Sequence, residues 1–127
     1  MKKGIIIIAI VILGVCILNI ITDKITSESV SSVIEDLQEL KENLETENNE
    51  EIKISMKKVE ENWLNRKSKL EYFIEHDELE KVSSEIYIIK GNIEQEKYEE
   101  DVPEIENAKF ILNHLEDKYK FMFKNLF

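Results

Sequence analysis

The first pattern in the chain is an apolar run from Gly4 to Ile21, GIIIIAIVILGVCILNII, in which Asn19 is the single polar residue. Eighteen residues at about 1.5 Å each give a helix of about 27 Å, close to the ~30 Å hydrocarbon core of a bilayer. Because no water is present there, the backbone must satisfy its own hydrogen bonds as a helix. The run therefore predicts a transmembrane helix.

After Lys24, apolar residues recur at spacings of three and four, which is typical of amphipathic helices. The spacing predicts one helix from about Thr26 to Thr46, a second from about Glu51 to Ile74, a third ending near Glu96, and a fourth after Asp101. The expected inward stripes are Val30, Val33, Ile34, Leu37, Leu40 and Leu44; Ile52, Met56, Val59, Trp63, Leu70 and Phe73; Leu79, Val82, Ile86, Ile89 and Ile93; and Ile105, Ala108, Leu112, Leu115, Tyr119, Met122 and Leu126, widened by Phe110 and Ile111.

Local signals suggest where the last two helices begin. Asp77 with Glu80, and Asp101 with Glu104, have the spacing of capping boxes, in which the first residue caps the helix. Pro103 would then lie in the first turn of the fourth helix, where its missing N–H is harmless. We expect Asp77 to open the third helix.

Four amphipathic helices with short connections favour antiparallel neighbours. The predicted fold is all-α, an N-terminal transmembrane helix followed by an antiparallel bundle of about four helices. A stacked pair of helical hairpins is the alternative. The expected domains are an anchor over residues 1–24 and an extracytoplasmic bundle over 25–127. No Gly or Pro separates the two, so the anchor and the first bundle helix can form one long helix.

The residues that flank the apolar run predict its orientation. Lys2 and Lys3 precede it, so the positive-inside rule places the N-terminus in the cytoplasm and the bundle outside the cell membrane. A cleaved signal peptide has a shorter apolar region and a small-x-small cleavage site, which is missing after Ile21. A lipoprotein acylated on Cys16 is a weaker alternative, because Val15 is bulky where a small residue is required. We expect an uncleaved, single-pass signal anchor.

The charge of the chain limits the classes of molecule that it can bind. All 27 acidic residues but only 15 of the 17 basic residues follow the apolar run, so the outer part has a formal net charge of −12. Nucleic acid is a poor partner for such a surface, and an anionic membrane surface repels it. Cys16, the sole cysteine, lies in the anchor, so the outer part has no disulfide. The Ile-, Lys-, Glu- and Asn-rich composition favours a bacterial source.

Candidate catalytic chemistry is sparse. His76 and His114 are the only histidines, and they are the candidates for a metal site. The Glu-x-x-His pattern of di-iron bundles is missing, since Phe73 and Ile111 stand three residues before them. His-Glu-x-x-His is missing too, and the serines lack the context of a nucleophile elbow. We expect no catalytic residue and no cofactor.

The C-terminal stretch is more apolar than one helix face requires. Its residues are Tyr119, Phe121, Met122, Phe123, Leu126 and Phe127. Such a stretch either folds back on the core or forms an exposed patch that contacts a partner. We expect it to belong to the core.

Two segments carry a family resemblance. Phe73-Ile74-Glu75-His76 with Glu78, and the run from Ala108 to Leu112 with His114, resemble the domain of unknown function 4363 family. These are small membrane-anchored helical proteins of clostridia and relatives. The resemblance covers nearly the whole chain. It implies no activity and no catalytic residue, and it leads us to expect a multi-pass membrane protein as a partner.

The combined prediction is a non-enzymatic binding or accessory module for another envelope or membrane protein. The membrane itself is contacted through Gly4–Ile21, and the identity of any small-molecule ligand is unknown from the pattern of residues. The alternative is an extracytoplasmic metal-dependent enzyme or metal-binding protein that uses His76 and His114.

Overall fold

A computed structural model describes residues 1–125, and for residues 121–125 it describes the backbone only. The described chain is all-helical and contains no strand. Its four helices are α1 (Lys2–Thr46), α2 (Asn49–Leu70), α3 (His76–Glu94) and α4 (Tyr98–Asn125). The predicted all-α fold, with a long apolar first helix and a bundle, is confirmed.

Helix α1 combines two segments of different character. It is continuous over 45 residues, and its apolar first half has a mean hydropathy of 3.1 over 18 residues, none of them buried. This half is long and apolar enough to cross a membrane. Its second half is buried on one face by the bundle, beginning at Thr26. The two segments form one long helix, as the lack of Gly and Pro between them allows.

Contacts between side chains define an up-down bundle. Helix α1 packs against α2 and α4, and α3 packs against α4 and, less closely, against α2. Pairing runs in opposite directions at each seam, which makes every neighbouring pair antiparallel. The pairs include Asn43–Ser55 and Asn62–Ser32 between α1 and α2, Trp63–Ser83 and Lys90–Glu60 between α2 and α3, Asn92–Asp101 and Lys118–Glu78 between α3 and α4, and Lys41–Glu106 and Ser27–Glu116 between α1 and α4.

The core consists of the predicted stripes, with few exceptions. Ile34, Phe73 and Ile111 are partly buried against it, and the other predicted positions up to Tyr119 are buried. Phe110 is 69% exposed, so the prediction that it widens the stripe of α4 is wrong. Its ring lies on the exposed face of that helix, where it stacks on His114. The side chains of the C-terminal stretch from Phe121 to Phe127, with Met122, Phe123 and Leu126, lie outside the described residues.

Two predicted boundaries around the second connection are wrong. Helix α2 ends at Leu70 rather than Ile74, and the next four residues form a turn closed by bonds from the amides of Phe73 and Ile74 to the Leu70 carbonyl. Ile74 is still buried, because the turn folds it under the bundle. Helix α3 begins at His76 with Glu75 as its N-cap residue, and no side chain caps it. Asp77 therefore lies within the first turn and does not open the helix.

The connection between α3 and α4 is also shorter than predicted. Helix α3 ends at Glu94 instead of Glu96, and α4 begins at Tyr98, so Pro103 lies inside the helix. Tyr98 is partly buried and donates a hydrogen bond from Oη to Oδ1 of Asn49 at 2.8 Å. These contacts extend the helix upstream of the proline. Asp101, the expected cap, is instead fully buried within α4.

Candidate functional site

The two histidines have separate partners. Nε2 of His76 lies 3.5 Å from Oε1 of Glu80, and the His76 side chain is 71% exposed. His114 is exposed on α4, where its ring stacks on Phe110 with centroids 6.3 Å apart. Among the described side chains, no group of three His, Cys, Asp or Glu residues is placed to hold a metal ion. The two candidates are therefore not part of a three-ligand cluster there.

A groove runs between α2 and α3, the neighbouring helices that pack least closely. It consists of two cavities of about 330 and 240 Å³. Both are bordered by Glu60 and Lys90, whose Oε2 and Nζ atoms form an ion pair of 3.0 Å across the groove. The larger cavity is also lined by Lys53, Met56, Lys57, Ile93 and Glu94, and the smaller by Trp63, Leu64, Ser83, Ile86 and Tyr87.

Trp63 forms the floor of the smaller cavity. Its side chain is 2% exposed, and its Nε1–H donates a hydrogen bond of 2.9 Å to Oγ of Ser83 on the opposite helix. Leu64 and Tyr87 stand at the rim and are 58% and 77% exposed. The groove thus combines a rigid aromatic floor with apolar side chains that face solvent, an arrangement suited to contact with an apolar surface.

The charge of the helix that forms one wall of this groove differs from that of the rest of the bundle. Helix α2 carries six basic and four acidic residues, and it is the only net-positive helix of the four. Lys53 and Lys57 are exposed at the border of the larger cavity. Because residues 22–127 have a formal net charge of −12, the lysines of α2 are a local positive patch on an acidic bundle, which favours an acidic partner there.

A polar network lines an open depression of about 710 Å³ between α1 and α2, where Asp36 is nearly buried. Nδ2 of Asn62 donates to Oδ2 of Asp36 at 2.8 Å and to Oγ of Ser32 at 2.9 Å. Nε of Arg66 donates to Oδ1 of Asn62 at 3.3 Å, and Nζ of Lys58 lies 3.7 Å from Asp36. Arg66 is half-buried, and its charged end lies at the edge of the core. The network satisfies its own members and holds α1 against α2.

Acidic groups are buried in the seam between α3 and α4. Asp101 is fully buried and accepts a hydrogen bond of 2.9 Å from Nδ2 of Asn92. Burial raises the pKa of Asp101 to about 6, and the negative charges of Glu104 and Glu100 add to the shift. Burial, followed by the adjoining Glu104 carboxyl, raises the pKa of Glu85 to about 7. The fold therefore favours the protonated forms of the Asp101 and Glu85 carboxyl groups.

Comparison with known proteins places the chain in a family. A family model described as a domain of unknown function, DUF4363, matches residues 20–126. The chain belongs to this family. The match begins near the end of the apolar run and covers the bundle, which confirms the resemblance seen in the sequence. No curated protein and no solved structure matches the chain.

Sequence reasoning missed the groove between α2 and α3 of this DUF4363 member. The need of the Trp63 indole for a partner is visible in the sequence, but Ser83 as that partner depends on the pairing of α2 with α3. The groove results from the distance between these helices, which no local pattern encodes. Asp101 was also missed as a buried acid, because its spacing from Glu104 imitates a capping box.

Proposed function

We propose that this protein is a membrane-anchored, non-enzymatic accessory module that binds another envelope or membrane protein through the groove between α2 and α3. The observation that carries the proposal is the groove itself, with Trp63 as a buried floor and with Leu64 and Tyr87 exposed at its rim. Aromatic and aliphatic side chains of this kind are typical anchors of protein interfaces.

The height of the groove favours a membrane protein as the partner. Asn62, next to Trp63, contacts Ser32 of α1. Ser32 lies eleven residues beyond Ile21, which is about 16 Å of helix. Because α1 has no flexible joint between these points, the groove is held at a fixed and short distance from the bilayer.

The charge of the groove favours an acidic amphipathic helix as the docking element. The stretch from Lys53 to Leu64 is about 16 Å long, enough for about three turns of a docked helix. Apolar residues of that helix would cover Leu64 and Tyr87, while its acidic residues would face Lys53 and Lys57. Helix α3, the other wall of the groove, is net negative like α1 and α4, so the acidic side of the docked helix would face the lysines of α2 and turn away from α3.

The proposed orientation has the N-terminus in the cytoplasm and the bundle on the outer side. Support comes from Lys2 and Lys3, which precede the apolar half of α1, whereas Lys24 is the only basic residue between that half and Lys41. The proposed partner therefore presents its acidic helix outside the cytoplasm.

Site-specific photocrosslinking tests the groove. A photoreactive phenylalanine replaces Leu64 or Tyr87 in the full-length protein in intact cells, with Phe110, an equally accessible aromatic on α4, as the matched control. We expect the same envelope or membrane protein, identified by mass spectrometry, to crosslink at both groove positions and not at Phe110. The double variant Lys53→Glu, Lys57→Glu should reduce the yield strongly, whereas Lys81→Glu on α3 should leave it unchanged.

Two outcomes would contradict the proposal. Equal yields from Phe110 and the groove positions would mean that no specific surface is used. A partner that binds undiminished after both lysines are reversed would show that an acidic helix in this groove is not the docking element.

A further inference from the structure

The membrane-facing end of the bundle can be located along α1 from contacts between helices. Nδ2 of Asn62 in α2 donates to Oγ of Ser32 in α1 at 2.9 Å, so these positions are level. From Asn62, α2 continues eight residues to Leu70, about 12 Å of helix. The same distance along the antiparallel α1 ends at Lys24. The turn after Leu70 is therefore level with the edge of the apolar run.

Helix α4 reaches further in the same direction. Oγ of Ser27 donates to Oε1 of Glu116 at 3.0 Å, and the backbone of α4 continues nine residues to Asn125, about 13 Å of helix. The same distance along α1 from Ser27 ends at Leu18, inside the apolar run. The amide of Glu75 donates to Oη of Tyr119 at 2.9 Å, which ties the turn to α4 at this level.

The surface of α1 is covered at the same depth. Thr22 and Asp23 are partly buried, and the side-chain oxygen of Asn19 is shielded, although Leu18 and Ile20 beside it are 61% and 68% exposed. One side of α1 is thus partly covered from Asn19 to Asp23, at the end of the apolar run nearest the bundle. The bundle and the membrane-crossing length of α1 overlap.

Tyr72 lies at the tip of this end. It is the second residue of the turn and is 90% exposed, more than any other aromatic side chain that the structure describes. Tyrosine is enriched where membranes meet water, because its ring suits the headgroup region and its hydroxyl remains hydrated. Both the position of Tyr72 and its residue type are therefore those of a side chain at a membrane–water interface.

We propose that the turn from Glu71 to Glu75 and the end of α4 are seated in the membrane–water interface, with Tyr72 as an interfacial anchor. This inference rests on the proposed anchoring of α1 in the membrane. The charged side chains at this level balance, with Lys24, Lys69 and Lys120 against Asp23, Glu71 and Glu75, so net electrostatic attraction to anionic headgroups is weak. Contact with the membrane therefore depends on the tyrosine ring rather than on charge, and it suits a zwitterionic lipid surface. It fixes the tilt of the bundle as well as its height.

Spin labelling of the full-length protein tests this seat. Nitroxides are placed at Glu71→Cys, which is exposed in the same turn and leaves Tyr72 in place, at Tyr87→Cys as an exposed position further from the apolar run, and at Ile10→Cys within that run, each in a Cys16→Ser background. The protein is reconstituted in phosphatidylcholine vesicles. Collision rates with oxygen, which concentrates in lipid, are compared with those of a water-soluble nickel chelate. We expect the oxygen-to-nickel ratio at position 71 to be several-fold above that at 87, below that at 10, unchanged by added salt, and lowered when Tyr72→Ser is added.

The three positions separate the possible failures. A label at 10 in lipid together with a label at 71 as exposed to water as that at 87 would overturn the interfacial position of the turn and leave the anchoring intact. A label at 10 that collides mainly with nickel would overturn both.

Discussion

The indole Nε1 of Trp63 and Oγ of Ser83 are joined by a hydrogen bond of 2.9 Å that connects α2 to α3. These two helices are the neighbouring pair that packs least closely. The bond joins them beneath the groove, and the Glu60–Lys90 ion pair joins them across it. Because Trp63 is buried at the same time among core residues, it connects the proposed binding groove to the stability of the bundle.

Substitution of either partner should affect stability to different extents. Trp63→Ala should lower the free energy of unfolding by about 3–5 kcal/mol, because it leaves a large cavity. Ser83→Ala should lower it by about 1–2 kcal/mol, because the buried N–H loses its acceptor. Urea unfolding of the full-length protein in detergent micelles, followed by circular dichroism, measures both. Ser84→Ala, an exposed neighbour, should change little. A loss under about 1 kcal/mol for Trp63→Ala would contradict its burial.

The buried acid Asp101 predicts a pH dependence. Its pKa is about 6 in the folded protein against an ordinary 3.8, so the folded state holds the proton more tightly than the unfolded state. The contribution is fully present below about pH 4 and is lost as the pH rises through about 6. Asp101→Asn should flatten this decline and raise the free energy of unfolding at pH 7.5 by about 1–3 kcal/mol.

The matched control for Asp101 is Glu99→Gln, which removes an exposed negative charge from the same helical turn. It should leave the pH profile unchanged in shape. The decline in stability between pH 4 and 7 should be wider than one group explains, because the pKa of Glu85 is raised to about 7. Asp101→Asn that destabilises at pH 7.5 would mean that the carboxylate is charged and favourable in the fold.

Glu96 adopts a left-handed backbone conformation, with φ of 58°, at the end of α3. Non-glycine residues are disfavoured there because Cβ crowds the backbone. Glu96→Gly should therefore raise the free energy of unfolding by up to about 1 kcal/mol. Ser84→Gly, inside α3, should lower it by about 0.5 kcal/mol. Thermal melting of the two variants beside the parent protein distinguishes them, and a destabilised Glu96→Gly would refute the conformational argument.

The sequence predicted the faces of the helices better than their ends. Stripes such as Leu79 to Ile93 reappear as core because burial of each large apolar side chain contributes about 1.5–3 kcal/mol and repeats along the helix. A cap contributes only about 1 kcal/mol, so the contacts of Tyr98 and the burial of Asp101 outweigh the signals at Asp101 and Pro103. The groove could not be predicted, since it depends on how closely α2 approaches α3.

Thiol labelling in intact cells tests whether α1 crosses the membrane and holds the bundle on its outer side. In a Cys16→Ser background, Lys97→Cys places a thiol in the exposed connection between α3 and α4, at the end away from the apolar run. Lys3→Cys places one on the other side of that run. A membrane-impermeant maleimide should label position 97 in intact cells and position 3 only after permeabilisation. Protection of position 97 until the cells are opened would contradict the account.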